Sequence, residues 1–192
     1  MYFPDRLRLA LAFDPARLSQ DLAVAVARGW QRQADRQVYE GSWDAIALRA
    51  AADARHPVQM IFANPHAESF VDTDVLSACP YFMKVLAAFP CALRSVRLMR
   101  LAPGSVIKEH ADDFLDVEDG VVRLHVVIVT NPDVDFRLNG TRLDMPAGST
   151  WYLRVCDPHR VANRGSTERV HLVIDAMLDA GLVALLEAAE TG

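Results

Sequence analysis

The part of the chain from Leu93 to Asp175 alternates short apolar segments with turn residues, and this pattern limits the available folds more than any other feature. Val and Leu are the commonest apolar residues of the segments, and Pro, Gly, Asn and Asp separate them, as in strands joined by tight turns. Asn139-Gly140 is a strong signal for a two-residue hairpin, since both residues tolerate a positive φ. The predicted strands are Ser95 to Leu101, Val106 to Asp112, Val121 to Thr130, Val134 to Leu138, Thr141 to Met145, Thr150 to Val155, His159 to Asn163 and Arg169 to Asp175. This spacing predicts a mainly β fold, a sandwich or a small barrel.

The residues before this region predict helices and less regular structure. Asp14-Pro15 is an N-cap signal, and Leu18, Leu22 and Val26 then recur every four residues, so the first element should be a helix that ends near Trp30. The remaining predictions are a strand from Trp43 to Leu48, a strand from Val58 to Ala63, a helix from Pro80 to Phe89 and a last helix from Met177 to Ala189. We therefore expect one domain with a mixed part over 1–92, a β core over 93–176 and a C-terminal helix over 177–192.

Composition excludes several classes of function. The net charge is −5 and residues 1–99 contain a single lysine, whereas binding to a nucleic-acid backbone needs clustered cations. No apolar run approaches the roughly 20 residues of a membrane span. The cysteines, Cys79, Cys91 and Cys156, form no CxxC pair, which favours a reducing compartment. The sequence therefore predicts a cytoplasmic protein that binds neither nucleic acid nor membrane.

Two histidines and an aspartate form a candidate metal site. His110 and Asp112 are two residues apart, so on a strand both side chains point to one face. His159 follows 49 residues later and begins another predicted strand. Two imidazoles and one carboxylate leave coordination positions open for other ligands, as in non-haem Fe(II) oxygenases.

Arginines and further histidines lie on the neighbouring predicted strands. Arg169, ten residues after His159, is suited to bind the far carboxylate of a dicarboxylate co-substrate. Arg123 shares a strand face with His125 and needs a counter-ion, which a 2-oxo acid or an internal aspartate would provide. His125 and His171 have three readings: replacement of His159 as a ligand, hydrogen bonding beside the site, or core packing.

Together these pieces resemble the aspartyl/asparaginyl β-hydroxylase family of Fe(II)- and 2-oxoglutarate-dependent dioxygenases, especially its small bacterial members that hydroxylate free proline at the cis-4 position. The likeness covers most of the chain from Gly41 and is strongest from Ser95 to Asp175. The matching pieces are Gly41-Ser-Trp43, Leu48-Arg49, Pro80-Tyr81, Ser95-Val-Arg97-Leu-Met-Arg100, His110-Ala-Asp112, Arg123-Leu-His125, Thr130-Asn131, Trp151-Tyr152, Pro158-His159 and Arg169-Val-His171-Leu-Val-Ile-Asp175.

The resemblance implies a double-stranded β-helix, or jelly roll, with a cupin-like core and flanking helices. It implies that His110, Asp112 and His159 bind iron, and that Arg169 binds 2-oxoglutarate. Arg123 and His125 match a motif that helps to hold this co-substrate, and His171 is expected to support them.

The implied activity is hydroxylation of an unactivated C–H bond with O2, in a small-molecule or peptide substrate that is an amino acid or contains one. Trp43, Arg97 and Arg154 are the candidate substrate residues. The substrate's identity stays open, because Asp157, Arg160 and the segment from Ala50 to Ala78 depart from the proline hydroxylases. Two alternatives remain: a cupin-like metalloenzyme that does not use 2-oxoglutarate, and a non-catalytic small-molecule-binding domain.

Overall fold

The computed structural model describes residues 3–189, in which thirteen strands and five helices are found. In chain order these elements are β1 (Arg6–Ala12), α1 (Pro15–Val26), β2 (Gln31–Arg32), β3 (Tyr39–Glu40), β4 (Trp43–Ala51), α2 (Pro57–Ile61), β5 (Phe70–Asp72), α3 (Asp74–Ser77), α4 (Pro80–Ala87), β6 (Leu93–Leu101), β7 (Val106–His110), β8 (Val121–Val129), β9 (Val134–Leu138), β10 (Thr141–Leu143), β11 (Ser149–Leu153), β12 (His159–Asn163), β13 (Arg169–Met177) and α5 (Ala180–Glu187). None of the helices in this described part is long and apolar enough to span a membrane.

The strands form two antiparallel sheets that face each other. The larger sheet has the order β1-β11-β8-β13-β6-β4-β2, with β5 paired to β4, and the smaller has the order β10-β9-β12-β7-β3. Apolar side chains from both sheets, such as Leu153 and Val161, pack together between them. The opposite face of the larger sheet packs against helices, for example through Leu98, Leu18 and Phe82. The result is the mainly β architecture that the sequence predicts, with α1, α3, α4 and α5 on one side and α2 beside the other face of the larger sheet.

All eight strands predicted after Leu93 are present, with ends shifted by a few residues. The Asn139-Gly140 turn joins β9 to β10, and both residues have the positive φ that the hairpin requires, 50° and 75°.

Three predictions for the rest of the chain were wrong. A strand, β1, precedes the first helix, with Leu7 and Leu9 buried and pairing with β11. The segment predicted as a strand from Val58 forms helix α2, because Pro57 occupies its first turn and the Gln59 side chain accepts from backbone N–H groups before it. The last helix begins at Ala180, three residues later than predicted. Strands outside 93–176, chiefly β1 and β4, therefore complete the larger sheet.

Asp21 joins the two longest N-terminal helices and provides a first test. Its buried carboxylate on α1 accepts hydrogen bonds from the backbone N–H groups of Tyr81 (2.7 Å) and Phe82 (2.8 Å), in the first turn of α4. Asp21→Ala would leave these donors unsatisfied, so the free energy of unfolding should fall by about 2 kcal/mol in chemical denaturation. Ser19→Ala on the exposed side of α1 is the control, and equal effects of the two changes would contradict this role.

Candidate active site

A cavity of about 860 Å³ lies between the two sheets, open to the loops that follow β4 and β7. Side chains from both sheets line it, including eight that the sequence singled out. These are Trp43, Arg97, His110, Asp112, Arg123, His125, His159 and Arg169. Convergence of so many polar groups in one concave site is typical of an active site.

The three predicted metal ligands meet at one end of the smaller sheet. His110 is the last residue of β7 and His159 the first of β12, and these strands pair with the two histidines opposite each other. Asp112 lies in the loop after β7, which ends at His110, whereas the sequence predicted Asp112 within the strand. The potential ligand atoms of the three residues all lie within 4.8 Å of one another. The spacing suits a single metal ion.

Backbone carbonyls orient both imidazoles. Nδ1 of His110 lies 2.8 Å from the carbonyl oxygen of Lys108, and Nδ1 of His159 lies 3.0 Å from that of Asp157. A carbonyl only accepts, so each Nδ1 carries the proton and donates, and each Nε2 is left with a lone pair. Nε2 of His110 is 3.6 Å from one oxygen of Asp112. Burial lowers the pKa of His159, which keeps its imidazole neutral and able to bind a metal.

Asp175 is a charged residue of the cavity that the sequence analysis did not single out as a site residue. Its buried carboxylate at the end of β13 accepts from Arg97 (2.7 Å) and from Arg123 (2.7 Å). Arg123 also donates to the second oxygen of Asp112. The internal aspartate considered as counter-ion for Arg123 is therefore present. The lone carboxylate after the apolar run Val170 to Ile174 was the available signal.

Arg169 and Arg123 differ in their charge partners although both are buried. Burial lowers the pKa of Arg123, but Asp175 and Asp112 outweigh it and raise this pKa above the ordinary value. Burial also lowers the pKa of Arg169, and no carboxylate opposes the effect. Within residues 3–189, Arg169 forms no ion pair, although its side chain is only 3% exposed. A buried guanidinium without a counter-ion is costly, so this position is suited to an anionic ligand.

Unsatisfied polar atoms are concentrated on this cavity. In the described part of the chain six buried side-chain polar atoms lack a hydrogen-bonding partner, and four belong to cavity-lining residues. Those four are Nε of Arg169, Nε of Arg97, Nε2 of His125 and Nε1 of Trp43. Because buried polar groups in folded proteins are normally satisfied, the cavity is built for a polar ligand.

His125 and His171 lie beside Arg169 and are not part of the His110–Asp112–His159 group. Nη2 of Arg169 donates to Nδ1 of His171 (2.7 Å), which is 3.3 Å from Nδ1 of His125. Burial lowers the pKa of both histidines well below the ordinary value, so both rings are neutral. His171 therefore orients Arg169, and His125 borders the space in front of it.

The predicted substrate residues occupy different places. The Trp43 ring lies 6.4 Å from that of His110, at the start of β4. Arg97 is buried in the cavity wall, between Asp175 and the carbonyl of Ile61 (3.2 Å). Arg154 is not among the lining residues: it pairs with Asp157 (2.7 Å), whose carbonyl binds His159, so it supports the turn before this histidine.

Comparisons with known proteins agree on the family. The model of the aspartyl/asparaginyl beta-hydroxylase family matches residues 16–178. The chain belongs to this family. It is 30% identical over 166 residues to an L-proline cis-4-hydroxylase of Rhizobium meliloti, which covers 85% of this chain and 57% of that protein. The chain thus spans just over half the length of this curated relative.

Solved structures confirm the fold. A prolyl-4-hydroxylase of Pseudomonas putida aligns over 92% of this chain and 94% of its own, with a TM-score of 0.57 at 12% identity. A 2OG-Fe(II) oxygenase family oxidoreductase of Burkholderia pseudomallei aligns over 92% and 87%, with a TM-score of 0.52 at 17% identity. The predicted jelly-roll fold is therefore confirmed, whereas at these identities the site must be interpreted from this chain's own residues.

The residues of this β-hydroxylase family member fit the two groups that the family implies. Two imidazole nitrogens and a carboxylate oxygen form the mixed donor set that suits Fe(II). Arg169, which has no carboxylate partner among the described residues, lines the same cavity, where a carboxylate of a 2-oxo acid would provide one. Iron would be held by His110, Asp112 and His159, and 2-oxoglutarate by Arg169, with His125 and Arg123 nearby.

Proposed function

We propose that this protein is a dioxygenase dependent on Fe(II) and 2-oxoglutarate, which hydroxylates an unactivated C–H bond of an amino acid or amino-acid residue, free, peptidic or carrier-bound. The single observation that carries the proposal is the presence in one cavity of the His110–Asp112–His159 group and of Arg169, a buried guanidinium without a carboxylate partner. The metal group alone would also suit a cupin-like enzyme of another type. Arg169 is what favours a dicarboxylate co-substrate.

The bound iron, 2-oxoglutarate and O2 would supply the oxidant, and the co-substrate would leave as succinate and CO2. The chain's own residues provide position and charge. Arg123 holds one oxygen of Asp112, which leaves the other for the metal. Arg169, oriented by His171, would bind the distal carboxylate of 2-oxoglutarate.

Arg97 and Trp43 are the proposed substrate residues. Nε of Arg97 and Nε1 of Trp43 are donors without partners among the described residues, and both residues line the cavity. Arg97 would bind a substrate carboxylate, and the Trp43 ring beside His110 would limit where the reacting carbon lies. Cys79, Cys91 and Cys156 are free thiols, which supports a cytoplasmic location.

Spectroscopy tests the metal site and the co-substrate together. Mixing the protein with Fe(II) and 2-oxoglutarate without O2 should produce the weak visible charge-transfer band of a chelated 2-oxo acid. His159→Ala should abolish the band, because two ligands remain of the three. The matched control is His56→Ala, at an exposed position outside the cavity, and it should retain the band. A wild-type protein without the band would refute the proposal.

Product analysis then tests the reaction. Amino acids and short peptides are supplied with O2, succinate release is measured, and mass spectrometry looks for the gain of one oxygen. A substrate should raise succinate release above the background without substrate. A normal band with no compound that gains oxygen would favour the non-catalytic binding domain.

A further inference from the structure

Apolar side chains surround the opening of the cavity although they face solvent. Val58, Phe62 and Phe114 are 43%, 63% and 54% exposed, and all three line the cavity. We call these three residues the rim. Exposed apolar residues gathered at one opening mark a binding surface, whereas scattered ones do not.

The backbone at Phe114 shows that its position at the rim is imposed. Phe114 has a φ of 61°, in the left-handed region that bulky residues avoid. Such conformations persist where the surrounding structure enforces them, and they concentrate at binding sites. The ring of Phe114 lies 5.9 Å from that of His66, on the loop after α2. His66 lines the same cavity, so the two loops meet at its opening.

The rim is close to the polar groups of the site. Phe114 is two residues beyond Asp112, a span of at most about 7 Å. Phe62 directly follows Ile61, whose carbonyl accepts from Arg97. In a substrate whose carboxylate binds Arg97, an apolar group of several carbons could therefore extend to the rim of the same cavity.

Charge defines the polar end of the substrate. The inner part of the cavity holds Arg97, Arg123 and Arg169 against Asp112 and Asp175, an excess of one positive charge. Fe(II) adds two positive charges and 2-oxoglutarate removes two, so the loaded site keeps an excess of one positive charge, which favours a substrate carboxylate. Among the other charged lining residues, the exposed carboxylates of Asp53, Asp113 and Asp119 outnumber the guanidinium of Arg94, so a second substrate carboxylate would be repelled.

From this arrangement, and resting on the proposed function, we infer that the substrate is a monocarboxylate amphiphile: an amino-acid unit with an apolar group that packs against Phe62 and Phe114. The apolar group comes either from a long side chain or from an acyl or peptidyl group on the amino nitrogen. Both sources share the same chemistry at the rim. Free proline has no group that would cover the rim, so Phe62 and Phe114 would stay exposed to solvent. The second carboxylate of an acidic amino acid would be repelled by the carboxylates beside the rim.

Calorimetric titration of the protein loaded with Fe(II) and 2-oxoglutarate, without O2, tests this inference. The probes are L-proline, L-norleucine for the side-chain source, N-octanoyl-L-proline for the acyl source, and L-aspartate. At least one apolar probe should bind tenfold or more tightly than L-proline, because it buries apolar surface at the rim. L-Aspartate should bind more weakly than that probe.

A rim variant makes the test specific. Phe62→Ser with Phe114→Asn removes both rings, and asparagine tolerates the positive φ at position 114. In the variant the affinity for the apolar probe relative to that for L-proline should fall by about tenfold, and the visible band should remain. Met83→Ser, at an exposed position outside the cavity, should change neither the affinity ratio nor the band. Two results would overturn this inference alone, provided that the visible band is normal. One is L-proline binding as tightly as both apolar probes, and the other is a preference for the apolar probe over L-proline that persists in the rim variant. Absence of the band in the wild type would overturn the proposed function as well.

Discussion

Arg169→Ala should weaken the binding of 2-oxoglutarate at least 100-fold and leave Fe(II) binding unchanged. Arg169 is the buried guanidinium without an ion-pair partner among the described residues, and a buried charge-assisted pair is worth about 3 kcal/mol or more. Anaerobic titration of 2-oxoglutarate, followed by the visible band, gives its affinity. Calorimetry with Fe(II) alone gives that of the metal.

Arg169→Lys is the matched control, because it tests whether the shape of the guanidinium matters in addition to its charge. Lysine keeps the charge but lacks the planar fork that binds a carboxylate through two parallel hydrogen bonds and reaches His171 as well. It should recover only part of the lost affinity. An alanine variant with wild-type affinity for 2-oxoglutarate would remove Arg169 from the co-substrate site and favour a metalloenzyme that does not use it.

The β core was predictable because its signals are local. Alternating apolar residues and turn dipeptides mark each strand, and the Asn139-Gly140 hairpin is present as its two residues require. The strand β1 carried the same signal, since Leu7 and Leu9 are buried at alternate positions, yet the stronger helix signal at Asp14-Pro15 hid it. Helix α2 was misassigned because in so short a segment the capping contact, not periodicity, decides the structure.

The identity of the metal-site residues was predictable from their types and from their positions at the ends of predicted strands. His110, Asp112 and His159 come together because two of them lie at ends of adjacent strands. The sequence could not show that Asp175 pairs with Arg97 and Arg123 while Arg169 has no counter-ion among the described residues, since these pairings depend on the register between β13, β6 and β8. That register separates Arg97 and Arg123, which pair with Asp175, from Arg169, whose charge no carboxylate of the described residues balances.

This distinction leads to opposite expectations for stability. Asp175→Asn removes the carboxylate that Arg97 and Arg123 share in the interior, so it should lower the free energy of unfolding by about 3 to 5 kcal/mol. Arg169→Ala, which removes an uncompensated buried charge, should not lower the stability of the ligand-free protein. Asp72→Ala breaks the more exposed pair with Arg49 and should cost less than about 1 kcal/mol. Denaturant titrations of the three variants, without metal or 2-oxoglutarate, measure the differences. A large loss of stability in Arg169→Ala would show that this arginine also stabilises the fold. If Asp175→Asn lowers the free energy of unfolding most and Arg169→Ala does not lower it, the buried charge of Arg169 serves ligand binding.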